Sequence, residues 1–247
     1  MPGPPVLDTA IVVGSLAYGE SDRIVRLLLP TRGRISALAR GARGSRRRFQ
    51  GAVDLGNRID VEVRKGRGEL WSLGSVTLVD ARLHVRADHP RLALLAYLCE
   101  VAGALATEEH AEPTLFGLLD TALTVLDHST AMPTAAFRVG FEAKALTFAG
   151  FAPSLQVCVV CGRPLEGPLL LRPDGAAMHA DCPGTGTAVS AAWVADVELC
   201  RRTPLRDLVD RVLPSGPAWA LSHAIEAHTE RGLKSRAFLQ QSEEPPV

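Results

Sequence analysis

Ile59-Asp60-Val61-Glu62-Val63-Arg64, followed by Lys65-Gly66-Arg67-Gly68, sets the class of the N-terminal part of the chain. Alternation of β-branched with charged residues has a period of two, so Ile59, Val61 and Val63 share one face of a strand. Lys65–Gly68 turns the chain into two further strand-like runs, Glu69–Leu73 and Ser75–Val79, and the whole reads as a hairpin within a small sheet. Upstream, Ala10–Leu16, Arg23–Leu29 and Arg34–Ala39 are strand-length apolar runs separated by turns at Tyr18-Gly19-Glu20 and Thr31-Arg32-Gly33. About five short strands within about 75 residues fit a small Greek-key barrel such as the OB-fold. Periodicity alone leaves an SH3-like barrel as the alternative.

Downstream the texture changes. Asp88-His89-Pro90 supplies an N-cap and a helix-starting proline, after which Leu92, Leu95, Leu98, Cys99, Ala102 and Leu105 fall on one helical face. Thr114–Asp127 and Thr134–Ala149 follow as two further helices able to pack as a bundle. The pattern breaks at Gly150-Phe151-Ala152-Pro153, and Cys, Pro and Gly then crowd residues 154–187, where regular structure is expected to be sparse. Ala191–Arg202, Leu205–Val212 and Ala218–Thr229 read as closing helices, and Ser242–Val247 as a disordered tail. The reading is an α+β protein: an OB-fold DNA-binding domain at 1–80, then a helical domain at 81–247 with a zinc-binding insert at about 154–187.

The 247 residues carry zero formal net charge, yet residues 1–80 hold 13 Arg or Lys against 8 Asp or Glu, and the remainder 14 against 19. A basic segment joined to an acidic one points to a polyanionic partner for the first. Within it Arg23, Arg26, Arg32, Arg34, Arg40, Arg43, Arg46, Arg47 and Arg48 make nine cations in 26 residues, with no Asp or Glu among them. Arg40–Arg48 interleaves Arg with Gly and Ser, so its backbone can follow a phosphate chain while guanidinium forks bind successive phosphates. Tyr18, Phe49 and Trp71 are the only aromatic residues before position 81, too few for an extended stacking platform. Phe49 and Trp71 also read as barrel core. Binding is therefore expected to follow the backbone, to tolerate sequence and to weaken steeply with salt.

Cys158-Val159-Val160-Cys161 and His179-Ala180-Asp181-Cys182 form a C-x2-C-x17-H-x2-C pattern. Thiolate and imidazole suit zinc, and four protein ligands leave no open position for substrate, so Cys158, Cys161, His179 and Cys182 read as a closed structural Zn²⁺ site. The order of ligands is not that of a zinc deaminase, and the valines around the first pair do not favour a reactive redox thiol. Glu108-Glu109-His110 lacks the second His of a zincin, and no P-loop or nucleophile-elbow pattern occurs. These readings favour a binding protein over an enzyme. Neither a secretory signal nor a membrane-spanning run is present, which gives a cytoplasmic expectation with no membrane partner.

Tyr18-Gly-Glu-Ser-Asp-Arg-Ile24, Thr31-Arg-Gly-Arg34 and Ala39-Arg-Gly-Ala-Arg43 resemble the N-terminal signature of the RecO family of DNA repair proteins. Tyr97-Leu-Cys-Glu100, Leu115-Phe-Gly-Leu-Leu119, Phe141-Glu-Ala-Lys-Ala-Leu146, the Cys158–Gly162 turn and Leu233-Lys-Ser-Arg-Ala-Phe-Leu239 extend the likeness from about residue 7 to 240. Zinc-binding members commonly have a second Cys-x2-Cys pair, whose first position here is His179, an exchange that zinc accepts. The resemblance implies an OB-fold, a helical body and a zinc-finger-like insert. It further implies a recombination mediator of the RecF pathway, associated with the nucleoid, that binds single- and double-stranded DNA and anneals complementary strands. Its implied partners are RecR, the C-terminal tail of the single-strand binding protein SSB, RecF and RecA, with RecA loaded onto SSB-coated DNA. A zinc-containing transcriptional regulator that binds a specific duplex site is the alternative, and it would need a recognition helix that the sequence does not display.

Overall fold

The computed structural model describes residues 3–44, 49, 51–66 and 68–243. In chain order the strands and helices are β1 (Val6–Tyr18), β2 (Asp22–Leu29), β3 (Gly33–Ala39), β4 (Arg58–Lys65), β5 (Trp71–Asp80), α1 (Leu83–Arg86), α2 (His89–Leu105), α3 (Pro113–His128) and α4 (Ala135–Phe148). They continue as β6 (Leu169–Leu171), β7 (Ala177–His179), β8 (Thr187–Val189), α5 (Ala191–Arg202), α6 (Ala220–Thr229) and α7 (Lys234–Glu243). Contacts gather these into two compact units, Met1–Asp127 with Ser235–Val247, and His128–Lys234.

In the first unit β1 to β5 close a barrel in the order β1-β2-β3-β5-β4, the topology of an OB-fold. Closure depends on β1. Val6–Ile11 pair with β4, Ile11–Tyr18 pair with β2, and the register shifts between Val12 and Gly14, so one bent strand joins both sides of the barrel. All pairings are antiparallel except a short parallel seam in which Ala37 and Leu38 of β3 meet Trp71 and Ser72 of β5. Alternation places Val25, Leu27, Ile59, Val61 and Val63 inside, and the barrel core also contains Phe49 and Trp71. Glu69–Leu73 and Ser75–Val79 are not two strands: β5 runs through both from Trp71 to Asp80 as one irregular strand, its register against β4 shifting near Val61.

The outer face of β1 is covered by α2, where Gly103 lies against Val13. The Asp88 carboxylate accepts from the Arg91 N–H at 3.1 Å, and Pro90 sits in the first turn, so the sequence signal for this helix start is structurally used. Buried Arg82 joins the barrel to α3 through Asp80 at 2.8 Å, Asp120 at 2.6 Å and the Thr124 hydroxyl at 2.7 Å. The unit is completed by α7, which no apolar period announced: the Glu100 carboxylate accepts from the Ser235 N–H at 2.7 Å, and Leu239 is buried. Ser242 and Glu243, expected in a tail, end that helix.

The second unit is built on α4. Gly140 has no side chain because Leu208 and Cys200 pack onto it, a Cβ there falling 2.4 Å from Leu208 Cδ1. Arg138 and Glu142 form a buried pair at 2.9 Å, with the Trp219 ring 3.8 Å from the guanidinium carbon. The expected helix at Leu205–Val212 is only a 3-10 turn at Leu205–Leu208. Residues 154–187, expected to be nearly irregular, contain most of a small antiparallel sheet in the order β7-β6-β8, with Leu169, Leu171, Ala177 and Met178 buried. Strands of three residues are too short to show a period in sequence.

Candidate metal centre and nucleic-acid interface

Cys158, Cys161, His179 and Cys182 converge so that their ligand atoms all lie within 4.8 Å of one another. Two tight turns bring this about. The Gly162 N–H donates to the Cys158 carbonyl at 2.9 Å, with Gly162 at φ 71, and the Cys182 N–H donates to the His179 carbonyl at 3.1 Å. The first turn is anchored by the Cys158 N–H on the Arg163 carbonyl at 2.8 Å, and β7 delivers His179.

These separations fit a tetrahedral ion. With zinc–sulfur bonds near 2.3 Å and zinc–nitrogen bonds near 2.0 Å, ligand sulfurs stand roughly 3.8 Å apart and sulfur and nitrogen roughly 3.5 Å apart. Cys158 Sγ and Cys182 Sγ are 3.8 Å apart, and Cys161 Sγ and His179 Nδ1 are 3.4 Å apart. His179 Nε2 lies 2.9 Å from the Pro164 carbonyl, so the proton placed there leaves Nδ1 free to bind metal. Burial works to raise the Cys158 thiol, but backbone N–H groups of Cys161, His179 and Val160 outweigh it and hold the pKa down at about 6. Arg163 beside Cys161 lowers that thiol too, whereas burial and the neighbouring cysteines push Cys182 up to about 11. A site that lowers the pKa of two of its thiols is prepared for a cation, whose charge would favour the thiolate at the third as well. The four residues could thus hold a metal ion as a closed set.

The arginines fall into two groups along the barrel. Arg23 lies near the start of β2 opposite Ala39, Arg40 follows β3, and Arg43 donates to the carbonyls of Gly19 and Glu20 at 3.3 and 3.1 Å across the β1–β2 turn. Exposed Arg26 lies further along β2, its stem over Gly14. Among the described residues none of these four has a carboxylate within ion-pair distance, and half-exposed Tyr18 stands at the same turn. Arg46, Arg47 and Arg48 lie outside the described residues.

At the far end of the β2–β3 ladder are Arg32 and Arg34. The Arg32 guanidinium carbon is 5.4 Å from the Trp71 ring centre. Arg34 donates to the Gly103 carbonyl at 2.7 Å and pairs with Glu108 at 2.8 Å. Lys65 also stands over Trp71, at 5.3 Å, and pairs with Glu109. Sequence reading missed Lys65, Glu108 and Glu109, because the partners lie 74 and 44 positions apart and no local pattern connects them.

Among the described residues no helix is long and apolar enough to cross a membrane. Residues 4–82 match the family model described as Recombination protein O N terminal, and residues 86–237 match Recombination protein O C terminal. The chain is similar to the DNA repair protein RecO of Anaeromyxobacter sp. strain K, 37% identical over 247 residues that cover 94% of this chain and 95% of that one. It is equally similar to RecO of Geobacter sulfurreducens, at 37% over 245 residues with 96% and 98% covered, and 34% identical to RecO of Myxococcus xanthus over 241 residues with 95% and 96% covered. A five-stranded barrel, a helical region with a Cys3His cluster and full-length likeness agree, and the chain belongs to the RecO family of DNA repair proteins.

Proposed function

We propose that this chain is a recombination mediator that binds single- and double-stranded DNA, anneals complementary strands and, with RecR, helps load RecA onto SSB-coated DNA. RecF and the SSB tail are its further partners. Residues 1–80 carry the DNA and 81–247 form the helical part with its zinc-binding insert. The observation that supports this reading is the group Arg23, Arg26, Arg40 and Arg43 around the β1–β2 turn, cations with no carboxylate partner among the described residues. Arg46, Arg47 and Arg48, which follow Arg43 closely in sequence, lie outside the described residues and are proposed as part of the same basic segment.

Two DNA strands repel through their phosphates, and a basic surface that neutralises both lowers the barrier to pairing without breaking a covalent bond. Phe49 and Trp71 belong to the barrel core, so few rings remain for stacking, and contact falls on the phosphates irrespective of sequence. Zinc bound by Cys158, Cys161, His179 and Cys182 would cross-link two turns and supply no reactive position.

Annealing of complementary oligonucleotides, bare and SSB-coated, tests the reading. Replacing Arg23, Arg40 and Arg43 by Ala is expected to slow annealing at least about tenfold and to lower the slope of log affinity against log salt by about 0.9 for each phosphate no longer neutralised. Unchanged annealing in that variant would refute the role given to these residues.

A further inference from the structure

The segment from Thr107 to Glu112 lies on the start of β3 and is held there by backbone. The Arg34 N–H donates to the Thr107 carbonyl at 3.0 Å, the Glu109 N–H to the Arg34 carbonyl at 3.2 Å and the Glu112 N–H to the Pro30 carbonyl at 3.0 Å. At Gly33, φ 59, a Cβ would fall 2.2 Å from the His110 carbonyl oxygen and 2.4 Å from that of Thr107. The loop therefore does not need its acids as anchors, and exposed ion pairs would add little to its docking.

The acids are nevertheless aimed at cations. Glu108 pairs with Arg34 at 2.8 Å, and the Glu109 carboxylate accepts from Lys65 and, at 3.1 Å, from the Trp71 indole N–H. Glu109 sits at φ 56, a left-handed backbone that residues with side chains rarely adopt and that proteins retain where local geometry serves a purpose. With Arg32 also over the Trp71 ring, three cations converge on this rim, beside a cleft of about 110 Å³ lined by Arg34, Ser36, Glu69, Leu70 and the two acids.

Carboxylate and phosphate oxygens accept the same charge-assisted bonds from guanidinium and ammonium groups. We infer that Glu108 and Glu109 stand in for nucleic-acid phosphates, so that DNA reaching this rim of the barrel must displace an acidic loop belonging to the chain itself. The inference rests on the reading that the barrel meets DNA. It makes Arg32, Arg34 and Lys65 a second, masked contact region, distinct from the open arginines at the β1–β2 turn. It also makes the acids a built-in brake, because they compete with phosphate for the same cations.

The test is a titration of a labelled mixed-sequence oligonucleotide with the full chain and with the Glu108→Gln/Glu109→Gln variant. Glutamine keeps the hydrogen bonds and removes only charge. The variant is expected to bind about fivefold tighter at low salt, with the gain shrinking as salt rises. A cycle with Lys65→Met separates a local brake from a general loss of negative charge. The gain from Glu109→Gln should largely disappear when Lys65 is gone, and an equal gain in that background would overturn the inference. Normal binding by the unaltered chain with no gain in the Gln variant would also overturn it, leaving the DNA-binding reading intact. Absence of binding by both proteins would overturn that reading and this inference with it.

Discussion

Replacing Gly33 by Ala would put a methyl carbon against two carbonyl oxygens, at 2.2 and 2.4 Å. Gly19 has a similar backbone, φ 56, but open space around it, so Gly19→Ala carries only the left-handed penalty, about 1 kcal/mol. Gly33→Ala is expected to lose at least about 2 kcal/mol more, measured by urea unfolding, because the loop must lift or the strand must move. Equal losses would mean that the loop yields freely. Single residues were legible from sequence where chemistry and spacing were local. The convergence of Cys158, Cys161, His179 and Cys182 into one cluster was readable because each pair sits within one turn. Arg34 with Glu108 was not, and the charge left uncompensated along the chain is partly compensated in space.

The turns that carry Cys158, Cys161, His179 and Cys182 and the small sheet next to them are different kinds of structure. The turns around Cys158 and Cys182 have little buried apolar surface beyond Cys158 itself, whereas β6 and β7 bury Leu169, Leu171, Ala177 and Met178. Purified protein is expected to carry about one zinc per chain, and Cys161→Ser to carry almost none. Chelation should speed amide exchange at residues 158–164 and 179–182 while the β6–β7 amides stay protected; loss of protection throughout the sheet would show that the metal holds the entire insert. Elements with a sustained period were readable, as in β4 and α2. The parallel β3–β5 seam has only two residue pairs and no local signature, and α7 shows no sustained apolar period, since its burial is supplied mainly by Leu239.

At the scale of the molecule, the first compact unit is discontinuous: Met1–Asp127 is completed by Ser235–Val247, with His128–Lys234 between them in sequence. The change of texture near residue 88 marks where strands give way to helices, but α1, α2 and α3 still pack with the barrel, so composition alone does not reveal this grouping. A chain stopped after Leu233 lacks the Ser235 bonds to Glu100, the edge-on packing of Phe238 against His89 at 4.9 Å and the burial of Leu239. We expect it to destabilise the first unit by about 2 kcal/mol or more, read as faster exchange in α2 and the barrel with α4 unaffected. Unchanged protection in α2 would show that α7 is dispensable. The same arrangement orders events during synthesis. On the ribosome, Glu100 emerges long before Ser235, and every residue of the second unit is translated in the interval. The second unit can therefore finish folding while the first still lacks its last helix, and the nascent barrel must remain soluble with the Leu239 docking place uncovered until that helix is released.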